Sequence, residues 1–324
     1  VDSGRTFEPK NAIDEENTLD KSSVIAIAVD PLSPNIIYAG TDKNDVYVTR
    51  NGAESWQKMD TRLSNITNIV VDSFSTSTIY VSGMYNNRGS VVKSVDSGQT
   101  WERVYVEPTD GTNITAMTIS PNDGNVVYIG TSGGTIAKTV AGGKTWKNLY
   151  NAEDRVNDIL IDSYGSGALY VLVEGRDIFR SQDDVLFESI SDLVREKELE
   201  MEEETDENVE VMYEGTIYSM AVSPGNPGVL VIGTDNGVFR SDDMGESWRS
   251  INVIASTIGI PIHAIEINPS NVNQLVYAAA KAVYTSVSDE WVITDTASNR
   301  VVNVIAHDPI NSNNIYLGLR KAKK

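Results

Sequence analysis

The chain has 324 residues, a formal net charge of −20, 40% hydrophobic residues and no cysteine. This excludes disulfides, thiolate metal sites and cysteine nucleophiles. It also argues against nucleic acid as a partner, because phosphate contacts need clustered Lys and Arg. No apolar run approaches the roughly 18 residues of a membrane-spanning helix.

One pattern recurs seven times in chain order. An apolar strand ends in Asp, Ser or Asn, often followed by Pro: VDPLSPN (29–35), VDSFSTS (71–77), ISPNDGN (119–125), IDSYGSG (161–167), VSPGNPG (222–228), INPSNVN (267–273) and HDPINSN (307–313). A second strand follows each one: IIYAGT, TIYVSG, VVYIGT, ALYVLV, VLVIGT, LVYAAA and IYLGL. Units of about 40–50 residues made of short strands indicate a propeller or an array of small sheets. Six spans read as blades: 24–59, 66–106, 114–149, 156–191, 217–252 and 263–294.

A third landmark closes each unit. Ser94-Val-Asp96-Ser-Gly98-Gln-Thr100-Trp101 and Ser241-Asp-Asp243-Met-Gly245-Glu-Ser247-Trp248 are the clearest copies, and weaker ones end at Trp56 and Trp146. Trp56, Trp101 and Trp146 are spaced 45 residues apart. This pattern resembles the Asp-box, or BNR repeat, found in sialidases, xyloglucanases, sortilin/Vps10 ectodomains and the photosystem II assembly factor. The resemblance covers nearly the whole chain. A further copy, Val1-Asp2-Ser3-Gly4-Arg5-Thr6-Phe7, lacks its first Ser and carries Phe in the Trp place. At the other end, 301–309 and 314–319 supply two strands. Joining these half-units removes exposed sheet edges. The expected fold is therefore all-β, a seven-bladed β-propeller whose ring closes between N- and C-terminal strands, with 1–324 as one domain. The third strand of the seventh blade is expected from Arg320–Lys324 or from residues ahead of Val1.

The Asp-box reads as structural. Asp96, Gly98 and Trp101, and likewise Asp243, Gly245 and Trp248, suit a turn. There the carboxylate binds backbone N–H groups, glycine supplies the left-handed residue and the indole packs on a neighbouring sheet. Substitution of the Asp by Asn51 and Ala141 in weaker copies agrees with that role. The repeated second-strand Tyr (Tyr38, Tyr80, Tyr128, Tyr170, Tyr277, Tyr316) reads as inter-blade filler.

Positions that differ between units are the candidates for function. Five residues before the end of each first strand lie Ile25, Thr67, Thr115, Asn157, Tyr218, His263 and Asn303. First strands are innermost in a propeller, so these positions should ring one mouth of the channel, facing a ligand or ordered water. Loops between second and third strands open on the same face and carry Tyr85, Arg88 and Arg176, residue types favoured at binding hot spots. One linker is long: the insertion at 191–215. Within it, Asp192–Glu214 has eleven acidic residues against Arg195 and Lys197, a net of −9. It reads as a solvated excursion or an acidic arm, with about two helical turns in its first half.

An enzyme is not expected. The resemblance to sialidases implies an arginine cluster that this chain lacks. The resemblance to xyloglucanases implies catalytic Asp residues across a cleft between two propellers. Asp158 and Glu266 are the only acids deep in the first strands, and a glycosidase needs a facing carboxylate pair. The sortilin and assembly-factor resemblances imply capture of a protein segment. The expected function is a non-catalytic binding or scaffold propeller, exported or surface-attached and lipid-anchored through a missing leader, with a protein partner on its loop face. It is expected to need neither cofactor nor metal. The alternatives are a carbohydrate-binding or glycoside-hydrolase-like propeller and a structural surface protein with cation-dependent assembly.

Overall fold

Second strands such as Ile37–Thr41 and Leu169–Val173 are buried along their whole length. Continuous apolar runs of this kind form strands covered on both faces. Fourth strands such as Glu102–Val106 carry exposed residues, as suits an outer edge. In the computed structural model these runs assemble into antiparallel four-stranded sheets, each in simple meander order. The structure describes residues 6–10, 22–162, 167–174, 177–195, 213–253, 259–287, 290–296 and 298–322. Among the described residues no helix is long and apolar enough to cross a membrane.

Six blades are complete. Their first strands are Val24–Val29, Ser64–Val71, Ile114–Ser120, Val156–Ile161, Ile217–Val222 and Ile262–Asn268. Their fourth strands are Gln57–Met59, Glu102–Val106, Lys147–Asn151, Glu188–Ser189, Arg249–Ile251 and Glu290–Asp295. The spans read from the repeat agree with these to within two residues at each end.

The seven-bladed expectation is overturned: the propeller has six blades. After blade six the described residues form only a two-stranded sheet, Arg300–His307 paired with Ile315–Lys321. Arg320 and Lys321 finish that second strand and do not start a third. Nor do residues 6–10 form a strand. Pro9 lies among them and cannot donate to a ladder. Residues 1–5, which carry most of the N-terminal Asp-box copy, and Lys323–Lys324 lie outside the described residues.

The circle of first strands is nevertheless continuous, because Arg300–His307 packs against the first strands of both blade six and blade one. Side chains stitch this junction. Arg300 Nη1 donates to the Ser22 carbonyl, and Asn303 Nδ2 lies 3.4 Å from the carbonyls of both Val24 and Ile25. Lys321 N donates to Ser23 Oγ at 3.2 Å. Phe7, like Ile315, Leu317 and Leu319, packs against the buried cluster of Ala264, Val276, Ala278, Val283, Val302 and Ile305. Among the described residues, closure therefore rests on packing and side-chain bonds, and residues 6–10 contribute no strand to it.

The Asp-box turns lie between third and fourth strands. Asp96 Oδ1 accepts from Ser94 Oγ (2.7 Å), Gln99 N (3.0 Å) and Thr100 N (2.9 Å), and Oδ2 accepts from Thr100 Oγ1 (2.6 Å). These bonds hold the Asp96 carboxyl down at about 2, the Thr100 hydroxyl being the largest cause. Asp243 repeats the set with Ser241 and Ser247. Gly98 has φ +84°, and a Cβ there would lie 1.6 Å from Met59 Cε. Three of the indoles tie units together: Trp56 Nε1 donates to the Lys10 carbonyl, Trp146 to Val104 and Trp291 to Asn252, at 2.7–2.9 Å. Trp101 Nε1 is buried and makes no such bond.

Trp248 is 2% exposed and sits in a core cluster shared by blades four and five. Trp248→Ala should cost about 3–5 kcal/mol, read as a lowered denaturant midpoint with an unchanged slope.

Candidate functional site

The ring positions have a shared backbone signature. In six of the seven first strands the pairing register slips by one residue at Ile25, Thr115, Asn157, Tyr218, His263 and Asn303, and in blade two the slip spans Ser64–Asn68, around Thr67. Each is thus a β-bulge, which re-aims a side chain out of the ladder.

The bulge side chains fall into two groups. Thr67 Oγ1 donates to the Ile114 carbonyl at 2.8 Å, and Thr115 Oγ1 to the Val156 carbonyl at 2.5 Å. With Asn303 at the junction, these side chains bond the next first strand. In blade five the residue after the bulge does that work: Ser219 Oγ donates to the Ile262 carbonyl at 2.6 Å. Tyr218 is thereby left over. Asn157 and His263 are exposed, and neither bonds the next unit among the described residues. Asn157 Oδ1 accepts from Arg155 Nε at 3.2 Å. The Tyr218 and His263 rings meet edge-on with centroids 5.2 Å apart. Blades four to six therefore present Asn157, Tyr218 and His263 at one mouth.

Two carboxylates belong to the same strands. Asp158 follows Asn157, and Glu266 lies three residues beyond His263 on the same strand. Burial pushes Asp158 up to about 6, against one bond from the Ile159 N–H. Burial, and then the charge on Asp158, push Glu266 up to about 8. Near neutrality Glu266 is mostly protonated and Asp158 mostly ionised. Burial, with Arg320 adding to it, lowers His263 below the usual imidazole value, so its ring is neutral. The mouth thus offers an amide, a neutral imidazole and a phenol above a negative floor. Among the described residues no group of three or more His, Asp and Glu is placed to hold a metal ion.

The loop residues are largely engaged within the protein. The Arg103 guanidinium lies 3.4 Å from the centre of the Tyr85 ring, covering one of its faces, and Arg88 pairs with Asp110. Arg176 lies outside the described residues. The insertion is described only at its ends, with a helical stretch over 190–195; residues 196–212 lie outside. Asp177, in the sequence only one of the residues of the loop between second and third strands, anchors both ends. Its Oδ2 accepts from Ser189 Oγ (2.6 Å) and Ser191 N (2.8 Å), and its Oδ1 accepts from the Tyr213 hydroxyl. An acid placed just ahead of a third strand was the only available signal.

The fold defines a β-propeller. Solved structures similar to it include a GH74 xyloglucanase from Xanthomonas campestris, at 16% identity and TM-score 0.73, covering 92% of this chain and 51% of the xyloglucanase. They also include YCF48 from Cyanidioschyzon merolae, at 14% identity and TM-score 0.64, covering 92% of this chain and 94% of that one. A YCF48 bound to D1 peptide matches at 12% identity and TM-score 0.67, covering 93% and 91%. This chain thus spans about half the length of the xyloglucanase and nearly all of YCF48. At these identities the likeness is one of fold. No protein-family model matches the sequence, and no curated protein matches it.

Glu266 supplies a pH test. Its folded value lies above its ordinary 4.5, so the folded state holds an extra proton between pH 4.5 and about 8. Stability must then fall as pH rises through that window. Glu266→Gln should leave stability unchanged near pH 4 and raise it by a few kcal/mol near pH 9, measured by denaturant unfolding at both values.

Proposed function

We propose that this propeller is a non-catalytic binding platform that holds a segment of a protein partner at the mouth formed by blades four to six. The observation that carries the reading is the division among bulge residues. Where Thr67, Thr115 and Asn303 bond the next unit, Asn157, Tyr218 and His263 remain available. An amide, an imidazole and a phenol complement a peptide, which offers both N–H donors and carbonyl acceptors. The length match with YCF48, one of whose structures holds a D1 peptide, supports the same reading. An exported or surface-attached setting belongs to this proposal.

A second reading rests on Asp158 and Glu266. Two acids whose environments push their proton affinities apart are the equipment of a glycoside hydrolase. On that reading Glu266 would be the acid, and Tyr218 would stack a sugar.

The test is a pull-down from an extract of the source cells, comparing wild-type bait with Tyr218→Ala/His263→Ala. A partner held by wild type and lost by the double variant is expected. Equal retention by both baits would move the interface away from the mouth. Release of reducing sugar by wild type, abolished in Asp158→Asn, would establish the second reading instead.

A further inference from the structure

The opposite face of the ring carries an apolar arc that the mouth does not explain. There, in the six units whose turn is described, the first strand ends in an Asp, Asn or Ser that accepts a hydrogen bond from a backbone N–H two residues on. Asp30 Oδ1 accepts from Leu32 N at 2.9 Å, Asp72 Oδ1 from Phe74 N at 2.8 Å, and Asp308 Oδ1 from Ile310 N at 2.9 Å. This Asx-turn fixes the backbone and presents the second residue outward. Leu32, Phe74 and Ile310 are 61%, 68% and 64% exposed, although large apolar side chains normally bury.

The arrangement is not scattered. The two-stranded sheet, blade one and blade two are consecutive around the ring, so Ile310, Leu32 and Phe74 occupy one contiguous arc. In blades three, five and six the same turn presents Asn122, Gly225 and Ser270, all exposed. The blade-four counterpart, Tyr164, lies outside the described residues. The Asp-box turns lie on this face too, bonded to the first turns through contacts such as Ser97 N to the Ser77 carbonyl at 3.0 Å. Val95 and Val140, 64% and 63% exposed, extend the arc outward on blades two and three.

Charge selects the occupant. Asp30, Asp72 and Asp308 lie in the turns that carry the three tips, are 2%, 7% and 3% exposed, and form no ion pair among the described residues. Each accepts hydrogen bonding from backbone N–H, and Lys93 lies close enough to Asp72 to feel its charge, so the preference for a cationic partner comes from the acid excess of the chain as a whole. A net charge of −20 opposes a second copy of this chain and an anionic bilayer alike. We infer that this arc is a second docking surface, which binds a protein segment that alternates apolar and cationic side chains. The surface is independent of the mouth on the other face.

The probe is a fluorescein-labelled peptide of alternating Leu and Lys, with Leu–Glu and Ser–Lys peptides as controls, followed by fluorescence anisotropy. Wild type should bind the Leu–Lys peptide in preference to both controls. The L32S/F74S/I310S variant should bind it about tenfold more weakly or worse, as for loss of central apolar anchors, with an unchanged circular-dichroism spectrum. Ser270→Leu, which extends the arc by one unit, should bind it more tightly. Equal affinity of wild type and the triple variant would overturn the proposal, as would equal binding of the Leu–Glu peptide. So would self-association in sedimentation that the triple variant abolishes, which would make the occupant a second copy. Co-flotation with phosphatidylcholine vesicles, lost in the same variant, would make it a bilayer and overturn the proposal equally.

Discussion

The inner edge of every blade is a strand with one free side, and the rest of the structure depends on how that edge is satisfied. An unpaired row of N–H and C=O groups is costly when water is scarce and invites wrong partners when it is not. This chain answers with side chains. Thr67, Thr115, Ser219 and Asn303 each reach across to a carbonyl of the next first strand. A bulge aims most of these groups off their own ladder, so one local irregularity serves both twist and cohesion. Close approach of the strands is the companion requirement. At Gly130 and Gly233 an added Cβ would lie 2.3 Å and 2.5 Å from Val156 and Ile262 of the following blade.

That economy also locates the candidate site. Cohesion consumes the polar residue at a bulge when it is small enough to reach back to a carbonyl. Tyr218 and His263 are too large and too rigid to do so, and in blade five the neighbouring Ser219 takes over. The residues left at the mouth sit above Asp158 and Glu266, both pushed up by burial, with the charge on Asp158 raising Glu266 further. The two faces of the ring therefore differ in character. One offers hydrogen-bonding groups around an opening, and the other offers apolar tips set on buried acids.

Much of this was legible in the sequence because repetition converts weak local signals into a strong one. Six blade spans followed from the strand-ending Asp, Ser or Asn, the second-strand Tyr and the spaced Trp. Counting back from the strand end lands on the bulge of each first strand, but it does not give the division of those residues into two groups. A Thr at a channel-facing position looks the same whether it bonds a ligand or the next strand, and only the cross-blade distance separates the two. The blade count failed for a related reason. Phe7 imitates a Trp and does pack on the cluster of the last sheet, yet among the described residues that sheet has only two strands and residues 6–10 add none. The apolar arc was readable as Asp-Pro-Leu, Asp-Ser-Phe and Asp-Pro-Ile, but a single exposed Leu or Ile carries no information until blade order sets the three side by side.

Asp177 gives the insertion between blades four and five a particular mechanical status. One carboxylate gathers the segment's departure, through Ser189 and Ser191, and its return, through Tyr213, so the two ends leave the body of the protein from nearly one point. Once ends are pinned together, the entropic cost of the intervening chain grows only with the logarithm of its length. Blade four and blade five then feel the knot and not what hangs from it. The ring could carry a longer segment, a different charge pattern or an entire foreign domain at this position, with the surrounding blades keeping their register.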